Sequence, residues 1–303
     1  MRTKRTRLLA FLAVLAFALA GCSGPAPRVA QSLPATGIKV SWPGAASSLA
    51  TMGSARPETS PGGGTPRPTA SVAKVITALT VLEKFPLAPG AAGPLLVMDA
   101  VDVQRYSDYA GRSGTVLAVH AGMRLSQYEM LQAMLLPSAN NIADSMAVWA
   151  FGSMESYAVQ AAAYVRSLGM ASTSIGPDAS GFSPETKSTP ADLALLARAA
   201  MNSPVVAEIA AQPSAIIPGY GPVENTNILL GREGVVGLKT GTSPEAGGVF
   251  LFAANIRIKG RVTLLVGAVM GAGTASTDAM GQAVELLRSI QDAPSGNAAY
   301  GVD

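Results

Sequence analysis

The sequence predicts an α+β fold: an antiparallel β-sheet built from both ends of the chain, packed with a central block of helices. Three observations carry this. Short apolar, strand-like segments bounded by turn residues occur near residues 38–53 and again after about residue 213. Between them, most apolar residues recur at helical spacing. A last helical pattern follows the second set of strands, so the order is strands, helices, strands, helix. That order fits a mixed antiparallel architecture and not a βαβ winding. With 303 residues, 49% of them apolar, the chain can bury a large core.

The first residues are set apart from the fold. Arg2, Lys4, Arg5 and Arg7 precede the apolar run LLAFLAVLAFALA (Leu8 to Ala20), which is too short to span a bilayer, and then Gly21 and Cys22. Residues 1–21 are predicted to be a secretory signal of the lipoprotein type. LAGC (Leu19 to Cys22) resembles the bacterial lipobox, which makes Cys22 the expected lipidation site; a plain cleaved signal or an anchor helix are the alternatives. The expected location is the extracytoplasmic side of a membrane, with the protein held there by an N-terminal lipid.

Cys22 is the single cysteine, so neither an internal disulfide nor a cysteine-based metal site is available. Residues 1–21 hold four of the 22 basic residues and none of the 19 acids. The remainder is near neutral, and nothing points to nucleic acid as a partner.

Residues 22–36, rich in Ser, Gly, Pro and Ala, read as a flexible tether. A folded domain is expected over 37–291, and a polar tail over 292–303. Within the domain, IKVSW (Ile38 to Trp42) and SLATMG (Ser48 to Gly53) read as two strands around Pro43-Gly44. A Pro/Gly-rich loop, Ala55 to Pro68, leads into a helix from Ser71 to Lys84. Residues 93–125 read as mixed short strands and loops, including YAGRSG (Tyr109 to Gly114). LSQYEMLQAMLL (Leu125 to Leu136) is helical, and Pro137 breaks it.

Two more helices are expected, over Asn141–Ala150 and Ser153–Ser167. Another runs from Ser188 to Met201, with Thr189 as cap, Pro190 at the first helical position and Asp192 at the third. Three strands then form a meander, Gly234–Thr242, Gly248–Ile258 and Arg261–Met270, with Lys259-Gly260 as a hairpin-like turn. Ser276 to Ile290 closes as a helix.

Chemistry enters at ASVAK (Ala70 to Lys74). Serine is inert near neutral pH unless a neighbour takes its proton. His120, the only histidine, sits in the apolar run VLAVHAG and reads as a core or turn residue. A buried lysine can serve as base if its pKa falls toward neutrality. Ser71 and Lys74, at i and i+3, share a helix face. Alone, this is weak, because Ser-x-x-Lys is expected roughly once in a chain of this size. Two more clusters strengthen it. Ser138-Ala139-Asn140 follows a helix and Pro137, where side chains project from a turn. Lys239-Thr240-Gly241 lies in an expected strand, where Gly241 allows a ligand backbone to come close.

These three motifs, in this order, are shared by serine β-lactamases and penicillin-binding proteins. From about Ile38 to Ile290 the chain resembles the D-alanyl-D-alanine carboxypeptidases, the low-molecular-mass penicillin-binding proteins. PTASVAKVITAL, LLPSANNIA, DASGFSPETKSTPADLALLA and GLKTGTSPEAGGVFLFAA carry the likeness. It implies Ser71 as acylated nucleophile, Lys74 as its base and Ser138 as a proton relay to the leaving amine. Asn140 would position substrate and Lys74. Lys239, Thr240 and Thr242 would meet the substrate carboxylate, with Lys239 also depressing the pKa of Lys74. Gly241 completes the third motif, and the amides of Ser71 and Thr242 would form the oxyanion hole.

Peptidoglycan stem peptides are then the expected substrates and β-lactams the expected covalent inhibitors. The reaction requires no metal or other cofactor. Ala139 stands where many relatives have glycine.

Two other readings compete. A class A β-lactamase shares the motifs but relies on a glutamate after the second one. Between Glu155 and Glu185 there is no glutamate, and Asp178 is the only acid. A non-catalytic lipoprotein that binds peptidoglycan would leave the motifs as relics.

Overall fold

The computed structural model describes residues 40–291. The signal, Cys22, the tether, Ile38, Lys39 and the polar tail lie outside the described residues.

The chain begins with β1 (Ala46–Thr51) and two short strands, β2 (Glu58–Thr59) and β3 (Arg67–Pro68). A single 3-10 turn (Ala70–Val72) runs into α1 (Ala73–Lys84). Next come β4 (Leu95–Val97), α2 (Ala100–Gly111), β5 (Arg124–Ser126), α3 (Gln127–Leu135), α4 (Asn140–Phe151) and α5 (Met154–Ser167). β6 (Lys187–Ser188), α6 (Pro190–Asn202) and α7 (Pro204–Ala210) lead to the hairpin β7 (Ser214–Ile217) and β8 (Gly221–Glu224). The meander of β9 (Val235–Ser243), β10 (Gly247–Ile258) and β11 (Arg261–Ala272) follows, and α8 (Ser276–Gln291) closes the described chain.

The main sheet has the order β2-β1-β11-β10-β9, all antiparallel, so both ends of the domain supply strands as expected. β10 lies between β11 and β9 and is apolar on both faces. Phe250, Phe252, Ala254 and Ile256 pack with Ala283, Leu286 and Leu287 of α8. Val249, Leu251 and Ala253 join the larger core of the helical block. This two-residue alternation is the pleat at work. Each large apolar side chain so buried contributes about 1.5–3 kcal/mol. Gly267 of β11 has no room for a side chain, because the Phe252 ring and the Ser48 carbonyl occupy that space.

Several elements differ from the sequence expectation. Val40–Trp42 is not a strand; Val40 and Trp42 instead pack against the core under α8. β1 pairs with β11 and with β2. The segment read as mixed contains α2, a 12-residue helix. Its apolar stripe is thin, with only Asp102 and Tyr109 buried. Its signal lay in the capping box, where the Asp99 carboxylate accepts from the Asp102 amide and Asp102 reciprocates.

α1 proper starts at Ala73, so Ser71 belongs to the preceding 3-10 turn. α3 starts at Gln127, capped by Ser126 and Glu129. Thr189 caps α6 as expected, but the Asp192 carboxylate turns away to accept from the Ser172 amide and the Thr173 hydroxyl.

Candidate active site

Ser71 lies where two chain segments pin one turn. β3 pairs with β6, and the Thr69 amide donates to the Thr186 carbonyl at 3.0 Å. Ala70 takes a left-handed φ of 45°, a strained setting for a residue with a Cβ. Gly181 crosses directly over this turn, and any side chain there would collide with the Ala70 carbonyl. Ser71 remains partly exposed, whereas Lys74, in the first turn of α1, is completely buried.

The Lys74 Nζ lies 2.9 Å from Ser71 Oγ, 2.7 Å from Asn140 Oδ1 and 3.0 Å from the Ser180 carbonyl. Burial lowers its pKa from 10.5 to about 7, against the opposing pull of Asp178 and Asp144. As an ammonium it donates to all three neighbours. Once neutral, its two hydrogens serve Asn140 and Ser180, and its lone pair faces the Ser71 hydroxyl. This arrangement can take the serine proton.

The second motif sits at the turn between α3 and α4. Ser138 has a φ of 71°, is 7% exposed, and its Oγ has no hydrogen-bond partner among the described residues. A buried hydroxyl without a partner is available to a bound group. Asn140 opens α4, and its amide donates to the Thr115 carbonyl at 2.8 Å. Asn141 clamps Leu117 through both its amide and its carbonyl.

The third motif lies on β9. A Cβ on Gly241 would stand 3.1 Å from the Ser71 amide nitrogen, so this strand runs hard against the turn that carries Ser71. Lys239 is 1% exposed and donates to the Thr240 carbonyl at 3.2 Å. Burial holds its pKa well below the usual range, and the charge of Lys74 lowers it further. For Lys74 the largest cause is burial itself, and the two lysines are buried like charges that repel each other.

The β9 register is regular from Gly237 to Ser243, so Lys239, Gly241 and Ser243 share one face and Thr240 and Thr242 the other. Thr240 pairs its hydroxyl with Thr226 at 2.6 Å, and Thr242 accepts from the Ser276 amide at 2.8 Å, at the start of α8. The hydroxyl on the face of Lys239 is that of Ser243, which the sequence reading did not single out.

Asp178, the only acid in its stretch, is occupied by its own loop. It accepts from the Ser180 amide and hydroxyl and from the amides of Phe182 and Ser183, at 2.6–3.0 Å. The loop it shapes presents the Ser180 carbonyl to Lys74. Ser180, Asp144 and Tyr109 all bear on the site and were missed, because only the fold brings them near Lys74. His120 is an exposed turn residue whose Nδ1 lies 3.1 Å from the neighbouring Ala121 carbonyl.

Known proteins share this arrangement of chain. A family model described as D-alanyl-D-alanine carboxypeptidase (peptidase S11) matches residues 62–274. The chain is 32% identical over 198 residues to the D-alanyl-D-alanine carboxypeptidase DacB2 of Mycobacterium tuberculosis. That match covers 62% of this chain, and the chain spans 62% of the length of that relative. A crystal structure of a D-alanyl-D-alanine carboxypeptidase from the same organism superposes with a TM-score of 0.71 at 27% identity. It covers 84% of this chain and 94% of that one. The Streptomyces K15 DD-transpeptidase matches with a TM-score of 0.71 at 22% identity, over 82% and 98% of the two chains, a likeness of fold alone. All three motifs fall inside the matched span, and the chain belongs to the D-alanyl-D-alanine carboxypeptidase family.

Proposed function

We propose that this protein is a serine-type D-Ala-D-Ala carboxypeptidase acting on peptidoglycan stem peptides through an acyl-enzyme on Ser71. One observation carries the reading: a fully buried lysine amine, with a pKa lowered to about 7, lies 2.9 Å from a partly exposed serine hydroxyl. Ser71 Oγ attacks the carbonyl carbon of the penultimate D-alanine, and its proton passes to Lys74. The oxyanion is met by the amides of Ser71 and Thr242. The C–N bond breaks, and the leaving amine takes a proton relayed through Ser138. Water then attacks the ester, which frees the shortened peptide and restores Ser71. Lys239 and Ser243, on one face of β9, hold the terminal carboxylate.

β-Lactams acylate the same serine. Asp178 does not serve as a deacylating base, since its carboxylate is spent on loop donors. The protein is exported and held at the membrane by a lipid on Cys22.

Intact-mass spectrometry tests this reading. A penicillin should add its mass to the parent, stay for minutes or longer, and fail to add to Ser71→Ala. D-alanine should be released from a D-Ala-D-Ala peptide. Turnover of many penicillin molecules per second without a lasting adduct would favour a β-lactamase. Such a thousandfold contrast corresponds to about 4 kcal/mol in barrier. Neither adduct nor D-alanine from the folded parent would leave a non-catalytic binding protein.

A further inference from the structure

Asp144 stands one helical turn beyond Asn140 on α4 and is partly buried. Its Oδ2 accepts from the Tyr109 hydroxyl at 2.7 Å, and its Oδ1 accepts from the Ala179 amide at 2.9 Å. The Ala179 carbonyl accepts from Thr77 Oγ1 at 2.6 Å, and the next carbonyl, of Ser180, accepts from Lys74. The Tyr109 ring meets Phe182 edge to face, with centroids 5.4 Å apart. The loop that braces Lys74 is therefore tied to α1, α2 and α4 within four residues.

We propose that Asp144, oriented by Tyr109, is a positioning residue for Lys74: through the Ala179 amide it anchors the loop whose Ser180 carbonyl holds the amine, and it gives that amine a negative neighbour. The inference rests on the reading of Lys74 as the base for Ser71.

The charge has a direction. Burial pushes the Asp144 carboxyl up to about 6, against the hydrogen bonds from Tyr109 and Ala179 and the charge of Lys74. It is thus ionised in the range where Lys74 loses its proton. A carboxylate nearby favours the ammonium form, so removing its charge lets Lys74 stay neutral to lower pH. Asp144 is also faced by Asp178 from the loop and by Tyr157 from α5. Arg105 and Asp108 of α2, Arg112 just beyond its end, and Glu185 line the same cavity of about 460 Å³. None of these changes in Asp144→Asn.

The test is the rate of penicillin acylation, followed from pH 5 to 9 in parent, Asp144→Asn, Asp144→Ala and Tyr109→Phe. Asp144→Asn keeps an acceptor for the Ala179 amide, so its rate above pH 8 should stay within about threefold of the parent. Its acid limb should move down by about half a pH unit or more. Asp144→Ala loses the anchor as well, and its plateau should fall about tenfold. Tyr109→Phe removes one donor from the carboxylate, which raises the Asp144 pKa and moves the limb the same way by less. Folded Asn and Phe variants with the parental limb, or a limb moved upward, would overturn the proposal. If Asp144→Asn does not fold, Tyr109→Phe decides alone. A parent that is never acylated would instead sink the reading of Ser71 and Lys74.

Discussion

The Nζ of Lys74 donates to Oδ1 of Asn140 across 2.7 Å, although the two residues are 66 positions apart. This bond joins the first and second motifs into one device. It takes up one of the two hydrogens left on a neutral lysine, which aims the lone pair at Ser71. Asn140→Ala should slow acylation about tenfold to a hundredfold, since a hydrogen bond to a chargeable group contributes about 1.5–3 kcal/mol. Stopped-flow labelling with a fluorescent penicillin measures it, and a loss below threefold would contradict the role.

The pH dependence follows from the burial of Lys74. In the proposed reaction the neutral amine is the base, and its pKa is lowered to about 7. Acylation should therefore fall about tenfold per unit on the acid side of that value and level off above it. A profile flat from pH 5 to 8 in the parent would show that Lys74 is not the proton acceptor.

Gly241 is required by the closeness of β9 to the turn that carries Ser71. In Gly241→Ala, the new methyl would lie 3.1 Å from the Ser71 amide, the Thr69 carbonyl and the Ala70 Cβ, so one side must shift by a few tenths of an ångström. Acylation should drop about tenfold or more, because small displacements of a nucleophile are costly. The melting temperature should change by only a few degrees. Unimpaired acylation by the variant would mean that the strand has slack.

The face of β9 makes another distinction. Ser243→Ala and Lys239→Ala should raise KM for peptides ending in a free carboxylate by about ten- to a hundredfold, and change it little for the C-terminal amide. Thr240→Val should act equally on both, because its hydroxyl is engaged with Thr226. The opposite pattern, with Thr240 selective and Ser243 not, would reverse the assignment.

Membrane attachment is tested at Cys22. Cys22→Ala should leave the protein unprocessed or soluble, as read by fractionation and by loss of labelling with a fatty-acid probe. Processing and retention like the parent would refute a lipid on this residue.

Local pattern was enough for much of this molecule. Ser71 and Lys74 stand three positions apart across a 3-10 turn and the start of α1, so their meeting needed no knowledge of the rest of the chain. The meander of β9, β10 and β11 and the helix α8 were legible because period-two and period-3.6 burial write themselves into the apolar residues. α2 escaped because so little of it is buried that no stripe forms, and β7 and β8 are too short to show a period.

Tertiary structure alone decided what Lys74 is. A lysine in the first turn of a helix is ordinarily solvated, with a pKa near 10.5. Here the packing of α4 and of the loop before β6 removes water and supplies Asn140 Oδ1 and the Ser180 carbonyl in its place. Desolvation is a property of the assembled neighbourhood, summed over residues distant along the chain, and no window of sequence contains it. The same holds for Asp144, which bears on Lys74 through contacts with Tyr109 and Ala179, each 35 residues away. The sequence named the pair proposed to react, and the fold set the protonation state that the proposed reaction needs.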